Sequence, residues 1–267
     1  MALVEPVPGE PAVVADLPDE RVLLIADYHA GIEAGLRYER GVELDSDAAG
    51  RREHVLSLLD RTTADRLVVL GDLAHRIPEP EGPEREEIEA LIAAVTERVP
   101  MTLVVGNHDA GVAESVAERV ADGLTVIPPE GGRLEARGQT GSTSIGVVHG
   151  HTWPDPDVLE ADVVCLGHEH PQVRLSDAVG GSRVERAWLR GSLRAEAFDA
   201  AEPGSTAVEA VESDPDVVVF PAFNERSGGT WVNVEGNGFL SPFLPDALDD
   251  AEAYLLDGTR LGPYRDV

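Results

Sequence analysis

The sequence predicts an α/β fold whose two halves are built differently. Three observations carry this. In the first half, short apolar runs alternate with stretches of helical periodicity. From LTVI (124–127) onward, short apolar runs follow one another, separated by Gly, Pro, Ser and Asp. Several of the runs also end abruptly in His, Asp or Asn.

Taken in order, VLLIA (22–26) reads as a buried strand. RREHVLSLLDR (51–61) places Val55, Leu56, Leu58 and Leu59 toward one side of a helix. LVVL (67–70) is a second strand. Pro83 then opens a helix in which Ile88, Leu91, Ile92, Val95 and Val99 recur at helical spacing, and Pro100 stops it. LVV (103–105) is a third strand, and AGVAESVAERVADG (110–123) a further helix with Val112, Val116 and Val120 in register. LTVI, RLEA, SIGVV, VVCL, RVERAWL and VVVF follow as short strands. The order is therefore βαβαβα and then mostly β. The stretches 73–83 and 199–216 read as mobile or linker-like, and periodicity is weak beyond about residue 200. The expected organisation is one domain over 1–267, with a motif core at 21–200 and an extension at 201–267 packed on it.

Charge sets the surroundings. The 267 residues include 50 Asp+Glu against 21 basic residues, all of them Arg, for a net charge of −29. Such a chain repels itself in dilute buffer. At molar salt the Debye length falls to about 3 Å and the repulsion is screened. The balance fits a halophile's salt-filled cytoplasm. No basic stripe marks a nucleic-acid surface, but in high salt its absence says little, because counterion release contributes weakly there. Cys165, the single cysteine, excludes an intrachain disulfide and should pack as a small hydrophobe. MALVEPVPGEPAVVADLP has no basic n-region or continuous apolar h-region, and no run reaches the ~20 residues needed to span a bilayer. A soluble, cytoplasmic protein without a membrane partner is expected.

The chemistry-bearing residues follow the strands. Asp27-Tyr28-His29 comes after VLLIA, Gly71-Asp72 after LVVL, and Gly106-Asn107-His108-Asp109 after LVV. His149-Gly150-His151 follows IGVV, and Gly167-His168-Glu169-His170 follows VVCL. In open α/β sheets, sites form at the carboxyl ends of strands, so these five groups converge on one edge. Imidazole together with carboxylate suits Mn, Fe, Zn or Ni. The donors are too many for one tetrahedral ion and suit two ions sharing a bridge. Asp72, a carboxylate in the middle of the set, is the natural bridge. Two ions about 3.5–4 Å apart clamp the attacking and leaving oxygens of an in-line displacement at phosphorus.

DYH, GD, GNHD, HGH and GHEH, in this order over residues 27–170, resemble the motifs of the calcineurin-like metallophosphoesterase superfamily. GHEHP, PAFN (221–224) and FLSP (239–242) resemble its archaeal, ICC-like branch, which is related to SbcD-type repair nucleases. The resemblance implies a four-layer sandwich: two mixed β-sheets packed face to face and flanked by helices. It implies that Asp27, His29, Asp72 and His170 hold one divalent ion and that Asp72, Asn107, His149 and His168 hold the other. Mn²⁺ is the first expectation, with Fe or Zn as alternatives. It also implies that His108 is no ligand but donates a proton to the leaving oxygen or stabilises the phosphoryl charge, oriented by Asp109. His149 directly ends its strand and matches the superfamily position. It is preferred as ligand over His151, which together with His75 would face substrate.

Other residues read differently. His54 sits on a helix away from the motifs and is expected on the solvated surface. Glu169 should point away from its two histidine neighbours. Arg37, Arg40, Arg76, Arg190 and Arg194 are candidates for phosphate contact, and Trp153, Trp188 and Trp231 are expected to pack rather than stack on bases. The expected activity is hydrolysis of a phosphodiester or phosphomonoester by in-line attack of a metal-held hydroxide. One alternative is a DNA or RNA nuclease acting in repair. From another class comes a non-catalytic metal-binding scaffold, but decayed ligands should mark it and none is missing here.

Overall fold

Strands buried on both faces need cover on both sides, and the arrangement of layers follows from that requirement. The structure is a computed structural model describing residues 3–77, 79–112, 123–135, 143–177, 179–198 and 214–267. One sheet runs in the order β1 (Val4–Pro6), β2 (Val13–Asp16), β3 (Arg21–Ile25), β4 (Arg66–Val69), β5 (Met101–Val104), β6 (Leu124–Ile127). Its β3–β4–β5–β6 part is parallel, and β1–β2–β3 is antiparallel. The second sheet contains β7 (Gly132–Glu135), β8 (Ser144–Val148), β9 (Val163–Leu166), β10 (Gln172–Ser176), β11 (Ser182–Leu193), β12 (Asp216–Val219), β13 (Leu248–Leu255) and β14 (Arg260–Pro263). In it β8, β9 and β12 are parallel neighbours and the other pairs are antiparallel.

The two mixed sheets pack face to face. Val22, Leu24, Val68, Leu70 and Val104 of the first meet Ile145, Val147, Cys165, Trp188, Val218 and Phe220 of the second in one buried cluster. On the outer face of the first sheet, Leu23, Ile25, Leu67, Val69 and Leu103 pack against α2 (Ala48–Thr62) and α3 (Gly82–Thr96). These helices contribute Val55, Leu58 and Leu59, and Ile88, Leu91, Ile92 and Val95. Full burial of such a side chain stabilises by about 1.5–3 kcal/mol. The outer layer on the second sheet is thinner. There Val158 and Leu159 of the one-turn α4 (Pro156–Leu159) join Phe198, Phe243 and Ala247 over Val164, Val217 and Ala253. Trp188 and Trp153 pack as expected, against Phe220 and against Phe198 and Phe243.

The structure adds elements that the pattern concealed. The β1–β2 hairpin lies at a sheet edge among Pro6, Pro8 and Pro11, and proline hides a strand because it cannot donate to a ladder. The β13–β14 hairpin is masked by an irregularity: register shifts in both pairings of β13, and Asp250 has φ 45°. A bulge breaks the two-residue period on which strand recognition rests. The short helix α1 (Ile32–Arg40) begins at Gly31 and ends at Gly41, both left-handed, and carries an exposed Tyr38. Most of the helix expected over 110–123 lies outside the described residues, as does most of 199–216. The 73–83 loop, expected to be mobile, is tied down at its start, where the His75 and Arg76 N–H groups donate to Glu84 (2.8 and 2.9 Å).

Candidate metal centre

The carboxyl ends of β3, β4, β5, β8 and β9 deliver all five motifs to one place, where the edges of the two sheets meet. Ligand atoms of Asp27, His29, Asp72 and His170 lie within 4.8 Å of one another, and so do those of Asp72, His149 and His168. Asp72 belongs to both groups. Its Oδ1 is 3.3 Å from His149 Nε2, and its Oδ2 is 3.9 Å from His29 Nε2. Asn107 joins the second group, with Oδ1 3.1 Å from His149 Nε2.

Backbone geometry at these residues is unusual. Asp27, His29, Asp72, His168 and His170 have φ of 57, 46, 49, 66 and 44°. A non-glycine residue in that left-handed region costs of order 1–3 kcal/mol and persists where the surroundings enforce it. The motif glycines provide the necessary closeness. A Cβ on Gly71 would fall 2.4 Å from His149 Nδ1, and one on Gly106 would fall 2.2 Å from Asp72 Oδ1.

Three of the four ligand histidines are held alike. Nδ1 of His29 pairs with the Ala74 carbonyl (3.2 Å), that of His149 with Leu70 (2.8 Å), and that of His170 with Gly228 (2.8 Å). A carbonyl only accepts, so each Nδ1 carries the hydrogen and each Nε2 offers a lone pair to the centre. Two of these, His29 Nε2 and His170 Nε2, are 3.4 Å apart. Two lone pairs at that distance repel unless positive charge lies beside both. Asp27 Oδ1, fully buried, lies 3.0 Å from His170 Nε2 without meeting hydrogen-bond geometry. Ligand atoms that face one another this closely fit a pair of cations.

The same electrostatics appears in the proton equilibria. Burial opposes charge on His149, but Asp72 and Asp27 outweigh it and push the imidazole up to about 9. Burial dominates at His29 and His168, lowering them to about 3 and about 4. Burial also works against ionised Asp72, yet His149, His29 and His108 hold its carboxyl far below the usual carboxylate range. This pocket therefore favours positive charge beside its carboxylates.

The structure corrects one role. Asp109 does not hold the His108 ring. Its carboxylate accepts from the N–H groups of Gly106 (2.9 Å) and Ala74 (3.0 Å), joining two ligand-bearing loops. His108 Nδ1 pairs with the His75 carbonyl instead. A carbonyl delivered by the neighbouring loop leaves no side-chain signature, so the sequence could not reveal it. His108 also donates its backbone N–H to Asp72 Oδ1 (3.0 Å), and its Nε2 lies 3.8 Å from Asp72 Oδ2.

His75 stacks on His108 (centroids 6.2 Å apart, 12°) and lines the cleft beside His29, His108 and His170. The His151 ring lies 5.3 Å from that of His149 and 6.0 Å from that of His168, and is not in the ligand groups. Of the arginine candidates, Arg40 lines the cleft, whereas Arg190 lies in a separate groove and Arg194 bonds the Asp246 carbonyl. Arg37 and Arg76 are exposed. His54 is not simply solvated: it bonds Glu10 (2.7 Å) and packs on Phe223. Trp231 departs from a pure packing role, because it lines the cleft, with Arg174 5.9 Å above its ring.

Sequence reasoning missed the braces. Asn224 of PAFN donates through Nδ2 to the carbonyls of Tyr28 and His29 (3.1 and 3.2 Å), clamping the DYH turn. Glu169 turns away from the centre and accepts from Leu240 N–H, Ser241 N–H and Thr230 Oγ1, so FLSP clamps the GHEH turn. In the sequence PAFN and FLSP stand more than fifty residues from the turns they clamp, so their partners carry no local signal.

A model of the calcineurin-like phosphoesterase superfamily domain matches residues 21–208. The chain belongs to that superfamily. Membership places it among hydrolytic enzymes acting on phosphoesters. A crystal structure of the nuclease MPE of Pseudomonas putida is similar in fold, with TM-score 0.51 at 17% identity over 97% of this chain and 100% of that one. YfcE, a phosphoesterase from E. coli, aligns with TM-score 0.36 at 21% identity over 59% of this chain and 74% of its own. Comparison with curated proteins gave no match. Among the described residues no helix is long and apolar enough to cross a membrane.

Proposed function

We propose that the chain is a dinuclear-metal-dependent phosphoesterase. The observation that carries this reading is the sharing of Asp72 between two ligand groups whose donor atoms each lie within 4.8 Å of one another. Asp27, His29, Asp72 and His170 hold one ion, and Asp72, Asn107, His149 and His168 the other. When bound, the ions supply positive charge to the phosphoryl group and acidify water. Mn²⁺ is the metal to test first, with Fe or Zn as alternatives, because the donors mix imidazole with oxygen.

The chain's own groups do the rest. His108, fixed through Nδ1, presents Nε2 to the cleft and passes a proton to the leaving oxygen. Asp109, Asn224 and Glu169 keep the ligand-bearing turns in place. Such bracing supplies the rigidity that a site of this kind requires. PAFN and FLSP thereby belong functionally to the motif core, which supports one domain over 1–267 and the ICC-like, SbcD-related branch.

The second reading is a nuclease. It is favoured by the cleft beside His108, which none of the described acidic residues lines and which Arg40 and Arg226 border. The test is hydrolysis with Mn²⁺ in molar KCl, comparing a phosphomonoester, a bis-aryl phosphodiester, and single- and double-stranded DNA. Turnover of at least one, abolished by chelation, is expected. A protein that binds two metals and hydrolyses none of them sinks the proposal.

A further inference from the structure

Arg226 follows directly from the PAFN brace, and the sequence reading did not consider it. Its backbone N–H donates to Asn224 Oδ1 (3.1 Å), so the residue that clamps the DYH turn also sets the start of this side chain. The guanidinium is then held from behind. Nη1 donates to Glu33 and to the Asp45 carbonyl (3.2 Å). Glu33 is buried and fixed in turn by Arg51, which donates through both Nη1 and Nη2. The Arg226 Nε and Nη2 groups make no hydrogen bond among the described residues. The side chain is 30% exposed and lines the same cleft as His29, His108 and His170.

Among the described residues the cleft differs electrostatically from the acidic grooves elsewhere. It has a volume of about 1050 Å³, and no described acidic residue lines it. The chain carries 50 acidic residues, and another groove is lined by Glu160, Asp162, Asp214, Asp216 and Asp250. On so acidic a protein, a wall with two arginines and no carboxylate suits an anion. Arginine's planar fork pairs with phosphate through two parallel hydrogen bonds. The cleft's volume sits at the upper end of the ~300–1,000 Å³ common for ligand pockets, which is more room than one phosphoester group fills.

We propose that Arg226 binds a second phosphate of the substrate, next to the one cleaved, so that the cleft selects phosphodiesters flanked by a further phosphate. This rests on the phosphoesterase reading above. The flanking phosphate could belong to a nucleic-acid strand or to a small dinucleotide, since both offer the same anion. Arg226 is a specificity residue, and Glu33 and Arg51 act through it as positioning residues.

The test compares kcat/KM on a bis-aryl phosphodiester, on a 5′-phosphorylated thymidine dinucleotide and on an oligothymidylate, for wild type, Arg226→Gln and Arg226→Lys. The preference for the two-phosphate substrate over the aryl diester should fall by about ten- to a hundredfold in Arg226→Gln, the range for a hydrogen bond to a charged group. Arg226→Lys should recover part of it. Binding of the oligothymidylate should show a log–log salt slope smaller by about 0.7 in Arg226→Gln, one phosphate contact on a single strand, and close to wild type in Arg226→Lys. An unchanged preference or an unchanged slope in Arg226→Gln overturns the inference while leaving the phosphoesterase reading standing. Wild-type protein inactive on all three substrates overturns the inference, and inactivity on the phosphomonoester and on double-stranded DNA as well removes the phosphoesterase reading. Within a positive result, stronger cleavage of the oligothymidylate points to a strand, and equal cleavage to a small dinucleotide.

Discussion

Two buried charge clusters lie side by side in this molecule and are built on opposite rules. In the Arg51 cluster every charge has a partner: the guanidinium donates to Glu33 and to both oxygens of Glu87, and Glu87 also accepts from Gly31 N–H. In the Asp72 cluster the ligand atoms crowd one another: Asp27 Oδ1 lies 3.0 Å from His170 Nε2 without hydrogen-bond geometry, and the Nε2 atoms of His29 and His170 face each other at 3.4 Å. The first cluster is complete without a ligand and ties α1, α2 and α3 together. The second is arranged for something positive. A buried charge cluster thus reveals its role less by its composition than by whether it satisfies itself.

The largest expected effect that separates the clusters is at His108. His108→Ala should lower kcat by about 10²–10⁴, the usual contribution of a positioned acid or base, while metal content measured by elemental analysis stays at wild-type level. Metal loss in that variant would make His108 a ligand and move it into the first role.

Next comes Arg51. Arg51→Leu should destabilise the fold by about 3–5 kcal/mol, measured by denaturant unfolding, because it strands buried carboxylates. The pH dependence should weaken. In the wild type, burial pushes the Glu33 carboxyl up, but Arg51 and Arg226 outweigh it and hold it below its usual 4.5. That contribution is complete above the unfolded value and is lost as pH falls through the lowered folded value. Without Arg51 only Arg226 opposes burial at Glu33, so the variant should lose less stability on acidification than the wild type. A variant with the wild-type pH slope would show that the cluster does not behave as a closed charge network.

The smallest effect sharpens the corrected role of Asp109. Asp109→Asn keeps an oxygen for only one of the two N–H groups, because Ala74 and Gly106 donate to different carboxylate oxygens, so kcat should fall by about ten- to a hundredfold through displacement of one loop. A carboxylate that fixes a catalytic imidazole costs about 10⁴ when changed to the amide. A loss of that larger size would restore Asp109 to the His108 ring.

The comparison also explains what the sequence made legible. Ligand residues stand directly after apolar strands, so the motifs gave Asp27, His29, Asp72, Asn107, His149, His168 and His170 as one set, and the structure gathers them at one edge. The two-sheet core was readable for the same reason, since β4, β5, β8 and β9 each carry a short apolar run that is buried. The bracing was not readable. The His75 carbonyl that holds His108 is backbone, and backbone groups have no identity in a sequence. Arg51 looked like an ordinary residue of an amphipathic helix because its partners, Glu33 and Glu87, are 18 and 36 positions away. Proline at the edge hairpin and the irregular β13 hid strands by breaking the local period.

The central claim is that one cluster holds two ions through a shared Asp72, and calorimetric titration of Mn²⁺ into chelator-stripped protein tests it most directly. The account predicts two ions per chain for the wild type and loss of both together in Asp72→Asn. A single ion in the wild type, or one site left at full affinity in Asp72→Asn, would contradict it.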